Sequence, residues 1–110
     1  MKEEIKDRWV EALRSGEYKQ GKKALKMDGN FCCLGVLCDL HAKEVGGDWE
    51  DLQNRRAQRY FGCIGLPPYE VQYWAETKHS SGKEIANLND VQNYTFEQIA
   101  DWIERNWERL

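Results

Sequence analysis

The sequence predicts an α+β fold: a single compact domain over residues 1–110, with about four helices around a buried central helix at 31–45 and a small antiparallel sheet. Three observations predict it. The stretch Phe31-Cys-Cys-Leu-Gly-Val-Leu-Cys-Asp-Leu-His41 carries one formal charge, Asp39, in a chain whose residues are 32% charged. A helix apolar nearly all round is a buried one. Amphipathic helical patterns lie towards both ends of the chain, and the segments between them carry turn signals that suit short strands.

Residues 2–15 form the first helix, with Ile5, Trp9, Ala12 and Leu13 on its apolar stripe and Ser15-Gly16 ending it. Glu17 to Met27 is polar and basic, and Ala24 to Met27 suits a short strand. Asp28-Gly29 is a turn signal, and Asn30 is placed to cap the central helix. At about 100° per residue, Leu34, Leu37, Cys38, His41 and Val45 share one face of that helix. Gly35 in its middle costs about 1 kcal/mol relative to Ala, which points to a close backbone approach there. Gly46-Gly47 stops the helix.

Residues 48–66 carry the weakest pattern: Trp49 and Leu52 suit a helical turn, Gln53 to Arg59 is polar, and Tyr60 to Ile64 reads as a strand. Pro68 suits the first turn of a short helix at 68–76, with Val71, Trp74 and Ala75 inward. Thr77 to Lys83 reads as a mobile Ser/Gly loop, and Glu84 to Val91 as a strand or extended segment. Thr95 with Gln98 is a capping box that opens the last helix, whose stripe is Phe96, Ile99, Ala100, Ile103, Trp107 and Leu110. Trp102 lies about 120° from the centre of that stripe.

The net charge of −3 lacks the basic footprint of a nucleic-acid binder. No apolar run reaches the roughly 18 residues of a membrane span, and Met1-Lys-Glu-Glu-Ile5 has no signal-peptide core, so a soluble cytoplasmic protein is expected. Cys32 and Cys33 are adjacent, and all four cysteines but Cys63 fall in the buried helix, so in a reducing compartment they read as small core hydrophobes.

Several segments together resemble a known family. Arg8-Trp-Val-Glu-Ala-Leu-Arg-Ser-Gly-Glu-Tyr-Lys-Gln-Gly21, Phe31 to Asp39, Leu66-Pro67, Val71-Gln72, Trp74-Ala75, Leu88-Asn-Asp90 and Phe96 to Glu104 are similar to a family of short, largely uncharacterised bacteriophage proteins. The resemblance covers most of the chain apart from 46–65. It implies a phage accessory protein acting in the host bacterial cytoplasm, and it implies no chemistry.

The residues themselves offer several chemistries. Cys38 and His41 are three apart on a helix and, with Cys63 and Cys33, raise a zinc site; yet no Cys-x-x-Cys pair is present, and a packing role for all four is the expectation. A cysteine nucleophile at Cys32 or Cys33 would draw on the helix N-terminus and on Lys22, Lys23 or His79, but burial opposes a thiolate. No Ser-His-Asp pattern, phosphate-loop motif or helical carboxylate pair is present, so no catalytic residue, metal or cofactor is assigned.

A small anionic, nucleotide-like ligand fits better. Tyr18, Lys19, Gln20 and Lys22 make a basic loop beside Asn30 at a helix N-terminus, Tyr18 or Trp74 can stack on a base, and Asn89-Asp90 can hydrogen-bond its edge. Solvated lysines and ordinary turn chemistry explain the same residues without a ligand. Trp102 and Trp107 leave apolar area on two sides of the last helix, which suits an interface, either a homodimer or a host defence protein. The phage resemblance adds that accessory proteins of this size commonly blunt host defence, one way being to sequester a cyclic or ADP-ribose-derived nucleotide. The leading expectation is therefore a non-catalytic nucleotide sponge. The alternatives are a protein inhibitor docking on a host enzyme through the Trp102 helix, and a small enzyme that cleaves the nucleotide.

Overall fold

The computed structural model describes residues 1–53 and 56–110; Asn54 and Arg55, inside the polar Gln53–Arg59 stretch, lie outside the described residues. Helix α1 (Glu3–Arg14) is followed by strands β1 (Lys26–Met27) and β2 (Asn30–Phe31), helix α2 (Cys33–Val45), strands β3 (Trp49–Asp51) and β4 (Ala57–Tyr60), and helices α3 (Tyr69–Ala75), α4 (His79–Asp90) and α5 (Phe96–Asn106). One 3-10 turn, Trp107–Arg109, closes the order. The four strands form one antiparallel sheet in the order β2-β1-β4-β3. The α+β class is as the sequence predicts, with five α-helices among the described residues where about four are expected. No helix among the described residues is long and apolar enough to cross a membrane.

Asp28 and Gly29 both take positive φ, 52° and 78°, the geometry of a two-residue hairpin turn between β1 and β2. That hairpin corrects two expectations. Asn30 pairs with Met27 and Phe31 with Lys26, so Asn30 is a strand residue and not the helix cap. The central helix therefore starts at Cys33 rather than at 31, and Cys32 caps it, its Sγ accepting from the Gly35 amide at 3.4 Å.

Helix α2 is the centre of the core, with Cys33, Leu34, Val36, Leu37 and Cys38 all buried. It lies between α1, α3 and α4. Gly35 is what lets β1 approach: a Cβ built there would sit 1.7 Å from the Leu25 carbonyl oxygen. Trp9 of α1, fully buried, donates its indole N–H to the Cys33 carbonyl at 2.9 Å, which gives the one polar atom of that ring a partner inside the core and ties α1 to the start of α2. Along the outer seam Arg14 reaches Asp101 (2.6 Å) and Glu104 (2.8 Å) of α5.

Three further expectations change. Trp49 lies in a strand and pairs with Tyr60, not in a helical turn. Tyr60 ends β4; Phe61 and Gly62, with φ of 47° and 79°, turn the chain so that Cys63 returns to Tyr60. The expected loop at 77–83 and strand at 84–91 are together helix α4. Its inward positions are Ser81, Gly82, Ile85, Leu88 and Asn89, a helical spacing in which three of the five are polar or lack a side chain. Val91, just past its end, is exposed.

Candidate functional site

The expected ligand residues separate into distinct places. Gln20, Asn89 and Asp90 do meet, between the loop after α1 and the end of α4, but they meet to close a junction. The Asn89 side chain is 0% exposed. Its Oδ1 accepts from Gln20 Nε2 (2.9 Å) and from the Cys33 amide (3.3 Å), and its Nδ2 donates to the Gly21 carbonyl and to Asp90 Oδ1, both at 2.9 Å. Asp90 also accepts from the Lys23 amide at 2.9 Å. Gln20 completes the node by donating to the Tyr94 carbonyl (2.8 Å) and accepting from the Phe96 amide (3.1 Å). An Asn side chain has two donors and an acceptor oxygen with two lone pairs, so Asn89 is fully engaged with its own chain. Lys22 reaches Asn93 across the same junction. The Lys19 carbonyl receives the Phe31 amide at 2.8 Å, and Asn30 lies against Gly21.

Tyr18 sits further along α2. Its hydroxyl donates to Asp39 Oδ2 at 2.6 Å and accepts from Lys43 at 3.0 Å, while Trp49 Nε1 holds the other Asp39 oxygen at 3.0 Å. Edge-to-face contacts continue from Tyr18 to Phe31 and from Phe31 to Trp49. Trp74 is elsewhere again: its indole N–H is bonded to Glu44, the Arg8 guanidinium covers the ring at 5.5 Å, and His41 meets it edge-on. Each ring thus already carries a cation of its own chain, Arg8 over Trp74 and Lys43 over Tyr18 at 5.2 Å. Trp102 and Trp107 are half-buried, covered by Arg109 at 5.4 Å and Lys6 at 5.2 Å. Leu110 is buried beside them.

The thiols are equally engaged. Burial pushes Cys32 up to about 11 and raises Cys33 and Cys38 well above the ordinary thiol range, which disfavours a thiolate. The half-buried Cys63 is raised too, by the same cause. His41 Nδ1 faces the Tyr60 hydroxyl at 2.6 Å. No cluster of three or more His, Cys, Asp or Glu positioned to hold a metal ion occurs among the described residues.

What remains open is a surface outside the expected site residues. Tyr69 and Tyr73, four residues apart on α3, are 68% and 72% exposed, because Val71 and Ala75 take the inward face of that helix. Their rings lie 5.3 Å apart at 48° and line an open groove of about 470 Å³ with Gln72, Glu76 and Thr77. Glu76 ends α3 in the left-handed region (φ 56°), a conformation disfavoured for a side chain with a Cβ. Gln72 and Thr77 also border a crevice whose wall runs on to Lys78, His79 and Ser81. Lys78 and Ser81 in turn line a cavity of about 380 Å³ at the start of α4, with Ser80, Glu84 and Arg109. One signal in the sequence marks this surface: two tyrosines at i and i+4, both off the apolar face of their own helix.

Fold and surface thus define a small α+β domain with an aromatic-lined groove beside a helix start. The chain belongs to the family described as Domain of unknown function (DUF8296), whose profile matches residues 1–83. That span takes in the α3 groove and the first turn of α4, and stops short of Asn89, Asp90, Trp102 and Trp107. No curated protein and no solved structure matches the chain.

Proposed function

We propose that this chain is a non-catalytic binder of a nucleotide-derived small molecule, acting as a phage accessory protein that sequesters a host immune signal. The observation that carries it is the Tyr69–Tyr73 pair: two exposed rings at the lip of a groove roomy enough for a base. Stacking of a base on an aromatic ring contributes about 1–3 kcal/mol whatever the base. The groove also holds Glu76 and Gln72, so a base with an exocyclic amine finds a carboxylate acceptor there. The class of ligand is the one expected from the sequence, but its place moves from Tyr18 and Trp74 to α3. Sequestration rather than turnover is supported by the buried, protonated thiols and by the closed polar junction at Asn89.

A thermal-shift panel of cyclic dinucleotides and cyclic ADP-ribose isomers tests it. At least one ligand is expected to raise the melting temperature, to be recovered unchanged after denaturation, and to lose its effect in Tyr73→Ala. A flat panel refutes the proposal, and recovery of a cleaved product replaces it with the enzymatic alternative.

A further inference from the structure

The sheet ends on a strand whose outer side is bare. Strand β3 is last in the order β2-β1-β4-β3, and its register fixes which of its backbone groups face away from the sheet. Tyr60 exchanges both of its backbone bonds with Cys63 (2.8 and 2.9 Å), on the side of β4 away from β3. Successive residues of a strand point their N–H and C=O to opposite sides. Arg59 therefore bonds β3 through Glu50, and Trp49 and Asp51 turn their amides and carbonyls outward. None of these four groups has a backbone partner among the described residues. An open edge of this kind is a template for another strand.

The side chains at this edge select the occupant. Asp48, Glu50 and Asp51 put three carboxylates into four residues. Glu50 is paired with Arg59, Asp51 accepts from the neutral amide of Gln58 at 2.6 Å, and Asp48 has no ion pair among the described residues. Lys26, over the Trp49 ring at 5.4 Å, is a second cation against β3, so three carboxylates face two cations and the edge is acidic. Beside it Phe61 is 52% exposed and lines a cavity of about 390 Å³ with Gly46, Gly47, Asp48 and Glu50. A second copy of the chain is the wrong occupant. Antiparallel pairing of two β3 strands sets these carboxylates against the same carboxylates, and like charges directly opposite destabilise.

From these we infer that β3 is a docking edge, to which an extended segment of a partner protein, with Lys or Arg at alternating positions, adds as a fifth strand. The partner's backbone bonds Trp49 and Asp51. Its basic side chains meet Asp48 and Glu50, which share one face of the strand, and the methylene stem of one of them lies on the Phe61 ring. The edge is separate from the Tyr69–Tyr73 groove, and the inference does not rest on the proposed function.

The probe is a blocked hexapeptide of alternating lysine and valine, titrated into the full chain and followed by amide hydrogen exchange in NMR. Binding is expected to slow exchange of the Trp49 and Asp51 amides about tenfold or more, and to weaken as salt rises. The same peptide with glutamate in place of lysine should not bind. Asp48→Asn should weaken the basic peptide about threefold, the scale of one exposed ion pair. Phe61→Asn puts a residue that tolerates positive φ where Phe61 sits at 47°, so it should keep the parent's Tm while weakening the peptide about threefold through loss of the ring. Asp51→Pro removes an outward N–H and no bond of the β3–β4 ladder. It should abolish protection of the Trp49 amide, whereas Asp51→Asn retains it. No binding of the basic peptide, equal binding of the acidic one, or binding that leaves Trp49 and Asp51 unprotected overturns the inference. Protection of those amides that grows with protein concentration in the absence of peptide makes a second copy the occupant and overturns it as well.

Discussion

Replacing Gly35 by alanine separates the packing explanation of α2 from helix propensity, because the two predict opposite signs. Propensity alone makes Ala better than Gly by about 1 kcal/mol at a mid-helix site. The structure puts the new Cβ 1.7 Å from the Leu25 carbonyl oxygen, 2.6 Å from its carbon and 3.1 Å from its Cα. These are backbone atoms and cannot rotate away. Leu25 is held on both sides: its amide bonds the Ile64 carbonyl at 2.6 Å, and its oxygen receives the Cys32 amide at 3.3 Å. Relief requires β1 to shift outward by more than an ångström, breaking the Cys32 bond. Overpacking of about 3 kcal/mol and a lost hydrogen bond of about 1 kcal/mol, less the propensity gain of about 1, leave a net loss of about 3 kcal/mol. For a domain of this size that lowers Tm by roughly 12 °C. Gly82 in α4 is the internal control, since its added Cβ would meet Pro67 Cδ at 3.5 Å and Leu66 Cδ2 at 3.9 Å, ordinary contact distances. Gly82→Ala should therefore stabilise by about 1 kcal/mol. Thermal unfolding followed by circular dichroism reads both variants. A Gly35→Ala protein as stable as the parent would refute the account of why α2 and β1 lie so close.

Two further outcomes follow from the same geometry. Asn89→Asp puts a carboxylate oxygen where an N–H₂ donates to the Gly21 carbonyl and Asp90 Oδ1; the unpaired buried charge should cost about 3–5 kcal/mol, and urea unfolding close to that of the parent would show that the junction does not hold α4 in place. The His41–Tyr60 pair makes stability depend on pH at both ends. Burial lowers the His41 pKa, against the opposing pull of Glu44 and Glu70, so the unfolded chain takes up the proton first and stability falls as pH drops below about 6.5. Burial also pushes Tyr60 up to about 12, so the unfolded chain loses that proton first and stability falls as pH rises past about 10. Urea midpoints from pH 7 to 5 should drop more steeply in the parent than in His41→Gln; parallel curves would refute the neutral, buried reading of His41.

The fold was legible wherever burial and hydropathy coincide. Helix α5 announced itself through the Thr95–Gln98 capping box, which is present with both of its bonds, and α1 through an apolar stripe that does bury Ile5, Trp9 and Leu13. Gly35 was legible as well, since a glycine in an otherwise strong buried helix has few explanations besides close approach. Helix α4 was not legible, for a physical reason. Its inward face carries Ser81, Gly82 and Asn89 beside Ile85 and Leu88, so hydropathy shows no 3.6-residue period. Asn89 faces inward because its partners are polar: it meets the Cys33 amide and the Gly21 carbonyl, not an apolar wall. The hairpin at Asp28-Gly29 was foreseen as a turn, but the strand it delivers absorbs Asn30 and Phe31, so the α2 cap passes to Cys32.

The same exchange explains why the candidate site moved. Lys, Gln, Asn and Asp side chains read alike in a sequence whether they face a ligand or their own backbone. Gln20, Asn89 and Asp90 look like recognition residues because hydrogen-bonding capacity is dense there, yet that capacity satisfies main-chain groups where three segments converge. A residue whose donors and acceptors are all matched within the chain can bind a ligand only by surrendering a bond of similar strength. Net affinity must come from groups that fold with something unmatched. Among the described residues, open rings beside a groove occur on α3, through Tyr69 and Tyr73. The buried stretch from Phe31 to His41 carries none of it: Cys32 caps, Cys33 and Cys38 fill the core, and His41 is bonded to Tyr60. Its part is to fix α3 and α4 against a common wall, so that a short helix with only two inward residues can hold two tyrosines out to solvent at a fixed separation.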